Sequence, residues 1–299
     1  PFMNNTIIAV DSSGSYRLYL AITTKMVQEA KIIHNATNLA TAALGRVLTA
    51  AGLMGLMLKD EDCTLTLQVK GDGPAAEILA SADGRGRVKG YIADPDVELP
   101  LKADGKLDVG GAVGKGTLTV IKDLKLKEPY LGRINLVSGE IAEDLAHYFL
   151  LSEQQPSSVA LGVRIGPDLN VQAAGGMILQ VLPGAEEECL DALEERIAAL
   201  GSLTEYIPQV NSPAELMDRL LGDMPPAYRP QVLEERSLRW HCGCNTKRME
   251  KALISIGEKD LVHLIEEDGG AEIICHFCLK KYKFGREKLE ALLREARNE

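Results

Sequence analysis

The chain has 299 residues, 45% hydrophobic and 25% charged, with 33 basic against 43 acidic side chains and a formal net charge of −10. That length supports a sizeable core in one to three domains. The negative balance, with only one Trp, eight Tyr and four Phe, argues against a general nucleic-acid binder, which needs a basic face and stacking platforms.

Pro1 and Phe2 precede a methionine that reads as a natural start. Residues 4–11 lack the basic opening and long apolar run of a secretion signal. The longest apolar run, residues 47–58, falls short of the ~20 residues of a membrane span. It therefore reads as a core helix, and the expected compartment is the cytoplasm, with no membrane partner. Residues 7–10 and 16–22 read as paired strands across Asp11-Ser12-Ser13-Gly14. Helical periodicity follows over 24–34 and 38–58, the second rich in Ala, Gly, Leu and Met, as suits packing on several sides.

Next comes Gly71-Asp72-Gly73-Pro74-Ala75-Ala76, which imitates a dinucleotide fingerprint after the strand-like run 64–69. Pro74 in the turn, a following helix of at most two turns and no continuing βαβ pattern make it a plain turn. Strand-like alternation returns at 87–92, 118–121 and 134–137, and Gly110 to Thr117 reads as a loop, because Gly116 stands where a phosphate loop needs Ser or Thr. A helix is expected over 142–151, then a hairpin of 159–165 and 170–182 around Gly166-Pro167-Asp168-Leu169. His34 and His147 stand alone on helical stretches and read as structural; Cys63 and Cys189 read as buried small hydrophobes. No Ser-His-Asp or paired-carboxylate set can be assembled, so no catalytic site is expected and the chain is read as a non-enzyme.

After Pro183 the character changes. Residues 184–238 carry 12 acidic and 4 basic side chains, with five prolines from Pro208 to Pro230. Residues 185–200 form an amphipathic helix with Leu190, Leu193, Ile197 and Leu200 on one stripe, stopped by Gly201. Ser212-Pro213-Ala214-Glu215 is a capping box that opens a second short helix through Leu221. Short helices are marginal alone in water, so this acidic linker must lay its apolar stripe on another surface. Residues 239–299 carry 12 basic and 11 acidic groups; a unit of that size often needs a metal or a disulfide.

That last unit contains Cys242-Gly243-Cys244 and, after 30 residues, Cys275-His276-Phe277-Cys278. Two close pairs supply four thiolates to one tetrahedral site, and Zn2+ suits that donor set. Four thiolates leave no position for water, so the metal is structural rather than hydrolytic. His241 and His276 are read as neighbours, not ligands. A single residue between Cys242 and Cys244 is unusual for a structural zinc site, and a disulfide across it needs the bend Gly243 permits. Bound thiolates are reactive toward oxidants when exposed. Spacing alone leaves two readings open: a redox-sensitive latch and a purely architectural zinc knot.

The sequence resembles the bacterial heat-shock protein 33 family of redox-regulated holdase chaperones. The resemblance rests on Trp240-His241-Cys242-Gly243-Cys244, Glu266-Glu267-Asp268-Gly269, Cys275-His276-Phe277-Cys278 and Tyr282-Lys283-Phe284. It extends through Thr41-Ala42-Ala43-Leu44-Gly45-Arg46, Ser138-Gly139-Glu140, Ser152-Glu153-Gln154-Gln155-Pro156-Ser157-Ser158 and Ala173-Ala174-Gly175-Gly176-Met177, and covers essentially all of residues 3–299. It implies one zinc held by Cys242, Cys244, Cys275 and Cys278 in a reduced, inactive state. It further implies that oxidation pairs Cys242 with Cys244 and Cys275 with Cys278, releases the metal, and unfolds the carboxy-terminal domain and linker. The active form implied is a homodimer that captures unfolding client proteins without ATP. The expected fold class is α+β: a mixed sheet-and-helix amino-terminal domain over 3–183, a helical linker over 184–238 and a small zinc domain over 239–299. The rival reading is a zinc-ribbon module for nucleic acid or a fixed protein partner, motivated by Lys280, Lys281, Lys283, Arg286 and Lys288.

Overall fold

The computed structural model describes residues 5–298; Pro1, Phe2 and Met3, and with them the reading of a natural start, lie outside the described residues. The chain forms two compact units that divide between His241 and Cys242, and segment 184–238 lies within the first.

In the first unit, β1 (Thr6–Asp11) and β2 (Tyr16–Ile22) form the expected hairpin, followed by α1 (Thr24–His34) and α2 (Asn38–Gly55). Then come β3 (Thr64–Gly71), β4 (Glu77–Asp83), β5 (Arg87–Ile92), a one-turn α3 (Val109–Val113), β6 (Gly116–Asp123) and β7 (Tyr130–Asn135). After α4 (Ala142–Ser152), strands β8 (Ser157–Ile165) and β9 (Val171–Val181) close a second hairpin. The acidic segment supplies α5 (Glu187–Ala199), α6 (Leu203–Tyr206), α7 (Pro213–Leu221) and β10 (Pro230–Arg236), and the unit ends with β11 (Arg239–Trp240). The strands make two sheets, ordered β10-β1-β2-β9-β8 and β11-β5-β4-β3-β6-β7. All pairings are antiparallel except the short parallel contact of β11 with β5.

Helix α2 packs against strands of both sheets, which explains its composition. Nearly every residue is buried, and small residues permit the close approaches: a Cβ on Gly52 would stand 2.8 Å from Leu238 Cδ1. Thr37 caps it by accepting from the Ala40 amide at 3.2 Å. The helix ends at Gly55, three residues earlier than its periodicity suggests. Two resemblance motifs meet here, where Arg46 donates to Glu140 at 2.6 Å and Lys102 joins the same carboxylate. These hydrogen bonds outweigh the burial that opposes ionisation and hold the Glu140 carboxyl below its ordinary range.

The β10-containing sheet is apolar on both faces. Ile8 packs toward the α2 core, whereas Ile7, Ala9, Leu18, Leu20, Met177 and Leu179 belong to a second core. That core is completed by Cys189, Leu193, Leu216, Leu220 and Tyr228 of the acidic segment, so its helices have the partner surface they need. Ser212 caps α7 by accepting from the Glu215 amide at 3.1 Å, as its capping box predicts.

Three local expectations are corrected. Residues after Gly73 do not begin a helix: they turn back, with Ala76 at φ 55°, into β4, whose Ile78, Ala80 and Ala82 face inward. The stretch from Gly110 contains a helical turn, capped by Asp108 on the Gly111 amide at 2.9 Å, rather than loop alone. The acidic segment also contains a strand, β10, that helical periodicity does not foreshadow. Among the described residues no helix is long and apolar enough to cross a membrane.

The second unit has α8 (Thr246–Ser255), α9 (Glu258–His263), a π-turn over Leu264–Asp268, the antiparallel hairpin β12 (Gly270–Ile274) and β13 (Lys281–Gly285), and α10 (Arg286–Asn298). Its core is small: Leu253, Leu261, Ile265, Tyr282, Phe284, Leu289 and Leu292, with Leu293 and Cys275 at the margin.

Candidate metal centre

Each cysteine pair stands on a short segment fixed by hydrogen bonds to its main chain. In the first, Arg248 of α8 reaches back to the Gly243 carbonyl at 3.1 Å, and Asn245 caps α8 on the Arg248 amide at 3.0 Å. In the second, which joins β12 to β13, the Cys275 amide donates to Lys280 O at 3.0 Å and the Leu279 amide to Cys275 O at 2.8 Å. Leu279 takes φ 56°, a left-handed value, at the end of this turn.

The two turns bring all four Sγ atoms within 4.8 Å of one another, and among the described residues this is the sole such cluster of three or more metal-ligating side chains. Cys242 and Cys275 are 3.7 Å apart, Cys244 and Cys278 3.3 Å. A tetrahedron with metal–sulfur bonds of about 2.3 Å has edges of about 3.8 Å, so the donor set fits one thiophilic ion. Neither His241 nor His276 belongs to the cluster. Cys63 and Cys189 lie outside it, both buried; burial pushes the Cys189 thiol up, against a hydrogen bond from Ser15.

The surroundings act in opposite directions on Cys242 and Cys244. Burial raises Cys242 to about 12, with further contributions from neighbouring thiols. At Cys244 burial opposes ionisation too, but hydrogen bonds from Tyr282 and the other thiols prevail and bring it down to about 7. The Tyr282 hydroxyl, on β13, donates to Cys244 Sγ at 3.0 Å. Tyr282 is the residue that sequence reasoning missed here: it lies in a resemblance motif, but only the β12–β13 pairing brings it to the sulfur.

The basic residues that favoured the nucleic-acid reading are engaged inside the unit. Lys281 and Lys283 both lie 3.5 Å from Glu272, Lys288 2.7 Å from Glu250 and Arg286 3.4 Å from Glu290. Lys280 sits 5.2 Å over the Tyr282 ring.

Comparison with known proteins agrees with this picture. The chain is 47% identical over 298 residues to the 33 kDa chaperonin of Alkaliphilus oremlandii, covering 99% of this chain and 98% of that one. It is 41% identical over 291 residues to the 33 kDa chaperonin of Bacillus subtilis, covering 97% and 98%. The crystal structure of the 33 kDa chaperonin (heat shock protein 33 homolog) of Thermotoga maritima superimposes with a TM-score of 0.88 at 34% identity, over 99% of this chain and 100% of that one. The Hsp33 protein family model matches residues 4–285, a span that takes in both sheets and all four clustered cysteines, and the chain therefore belongs to the Hsp33 family of chaperones.

Proposed function

We propose that this chain is an ATP-independent holdase of the reduced cytoplasm whose activity is switched on by oxidation. The observation that carries the reading is the four-sulfur cluster in a unit with a small core of its own. Cys242, Cys244, Cys275 and Cys278 are the ligands. A zinc ion bound by them supplies a structural cross-link and, with its shell filled, no catalytic position.

The redox step consumes the donors. Two thiols and one hydrogen peroxide give one disulfide and two waters, so each pair delivers two electrons to the oxidant. The proposed pairs are Cys242 with Cys244 and Cys275 with Cys278. Within the cluster two short separations, 3.7 and 3.3 Å, run across the motifs, but partners one or two residues apart stay adjacent once the unit loosens. Pairs across the motifs, in contrast, must close a loop of about thirty residues against chain entropy. Loss of the cross-link unfolds residues from Cys242 onward, and Trp240, two residues earlier, loses its continuation. The linker then loosens, and the apolar face under α5 and α7 is uncovered for unfolding clients; the active form is proposed to be a homodimer.

The test pairs two measurements on one sample before and after peroxide: zinc released to a chromogenic chelator, and light scattering of a model enzyme unfolding at high temperature. Zinc release together with newly acquired suppression is expected, with peptide mapping showing the two local disulfides. Full suppression by the reduced, zinc-loaded protein, or oxidation without zinc release, would sink the switch.

A further inference from the structure

Strand β10 holds its place on β1 by a main-chain ladder, from Thr6 opposite Arg236 to Asp11 opposite Pro230. Its five central residues are all exposed, Val232 at 38% and Leu233 at 66%. None of its side chains belongs to any of the unit's buried apolar clusters. Gln231 and Arg236 add hydrogen bonds to Ser12 (2.9 Å) and to the Gly84 carbonyl (2.6 Å). The strand is slung between two apolar anchors. Upstream, buried Tyr228 accepts from the Tyr16 hydroxyl through its carbonyl at 2.8 Å. Downstream, buried Leu238 is clasped by Asn5, which accepts from its amide at 2.7 Å and donates to its carbonyl at 2.9 Å.

The two strands differ as sheet edges. β10 carries the features that stop an edge from recruiting another chain: Pro230, a register shift that leaves Leu233 unpaired between Ile8 and Ala9, and the charges of Glu234, Glu235 and Arg236. β1 reads Thr6, Ile7, Ile8, Ala9, Val10, with no charge before Asp11. Such a segment, rich in β-branched residues and uncharged, pairs readily with extended chains once its edge is free. A ladder made by main chain is indifferent to the sequence of its partner, so whatever removes β10 leaves a site that any extended polypeptide fits.

We infer that activation turns β1 into an open sheet edge, and that unfolding clients are captured by adding an extended segment to β1 in the place β10 vacates. This rests on the functional reading above and specifies how the client is held: by strand addition, with the neighbouring apolar face as a second contact. It predicts broad client acceptance, because the first recognition element is the peptide group that every unfolded chain shares.

The test is amide hydrogen exchange on the full chain in three states: reduced, oxidised, and oxidised with a saturating, heat-unfolded model enzyme. Residues 6–11 are expected to exchange at least about tenfold faster on oxidation and to recover protection when the client is bound. A second arm uses a ten-residue Thr-Val repeat peptide as probe, unmodified or N-methylated on every amide. Full methylation leaves no donor for the ladder in any register, so the methylated peptide should lose at least about tenfold in affinity for the oxidised protein. If client is captured while residues 6–11 still exchange fast, or the methylated peptide binds as well as the unmodified one, strand addition is wrong and the switch stands. If the oxidised protein captures no client, the functional reading falls and this inference with it.

Discussion

Tyr282 and Asp144 show how single side chains outside the ligand set bear on the two units. With a metal on its sulfur, Cys244 is deprotonated whatever its intrinsic ionisation, and the Tyr282 hydroxyl at 3.0 Å draws charge from it. Tyr282→Phe should keep all four ligands, weaken metal binding by about tenfold, and speed peroxide-driven disulfide formation because the sulfur is richer in charge. Chelator competition and stopped-flow oxidation check both effects; unchanged affinity and rate would mean that the hydroxyl does not tune the site. In the first unit, fully buried Asp144 accepts from the amides of Val137 (2.6 Å), Ser138 (3.0 Å) and Ile141 (2.9 Å). It thereby holds Ile141 at φ 72°, a left-handed value that a β-branched residue rarely adopts. Asp144→Ala leaves these donors unsatisfied and should cost about 3 kcal/mol, read as a lower urea midpoint for the first unit. Asp144→Asn, which still offers one acceptor oxygen, should cost less.

At the scale of elements, the side-chain packing of the acidic segment comes from α5 and α7, whereas β10 is held by its main-chain ladder on β1. Leu216 and Leu220 of α7 are fully buried against the face of the β1–β2 hairpin that carries Ile7, Leu18 and Leu20. Leu220→Ala should remove about 2–5 kcal/mol of packing from this segment and leave the cysteine cluster untouched. The reduced variant is then expected to suppress client aggregation without oxidant at an unchanged zinc content; reduced protein as inactive as the parent would place the client surface elsewhere. The same packing explains what was legible in the sequence. α5 and α7 announce themselves because burial on one side imposes 3.6-residue spacing, and Ser212 with Glu215 marks a helix start. The four cysteines were legible because ligand spacing within each turn is local. β4 was not, because Ile78, Leu79 and Ala80 are consecutively apolar and blur the two-residue alternation. β10 could not be, since its side chains are exposed and its order comes from the β1 ladder, a contact some 225 residues away in sequence. Tyr282 failed for a related reason: its role depends on strand register, which no local spacing encodes.

On the scale of the whole molecule, the two units differ in what keeps them folded. The first has two large cores, one around α2 and one between a sheet face and the linker helices, built from many large, fully buried side chains, and a small third cluster around Val27 and Val171. The second has few fully buried apolar residues, and one of its marginal core members, Cys275, is itself one of the four proposed ligands. A core of that size supplies only about 3–5 kcal/mol, whereas a structural zinc site contributes about 10–16 kcal/mol in finger peptides. Chelation under reducing conditions should therefore abolish one calorimetric transition and leave the other near its original temperature. Hydrogen exchange should then show residues 242–298 unprotected while α2, β2 and β9 keep their protection. Cys275→Ser should reproduce that pattern without chelator, because it removes a ligand and a core contact together. If residues 242–298 stay protected after the metal is gone, the small core suffices by itself. Oxidation would then have no fold to dismantle through the cluster, and the proposed latch would lose its physical basis.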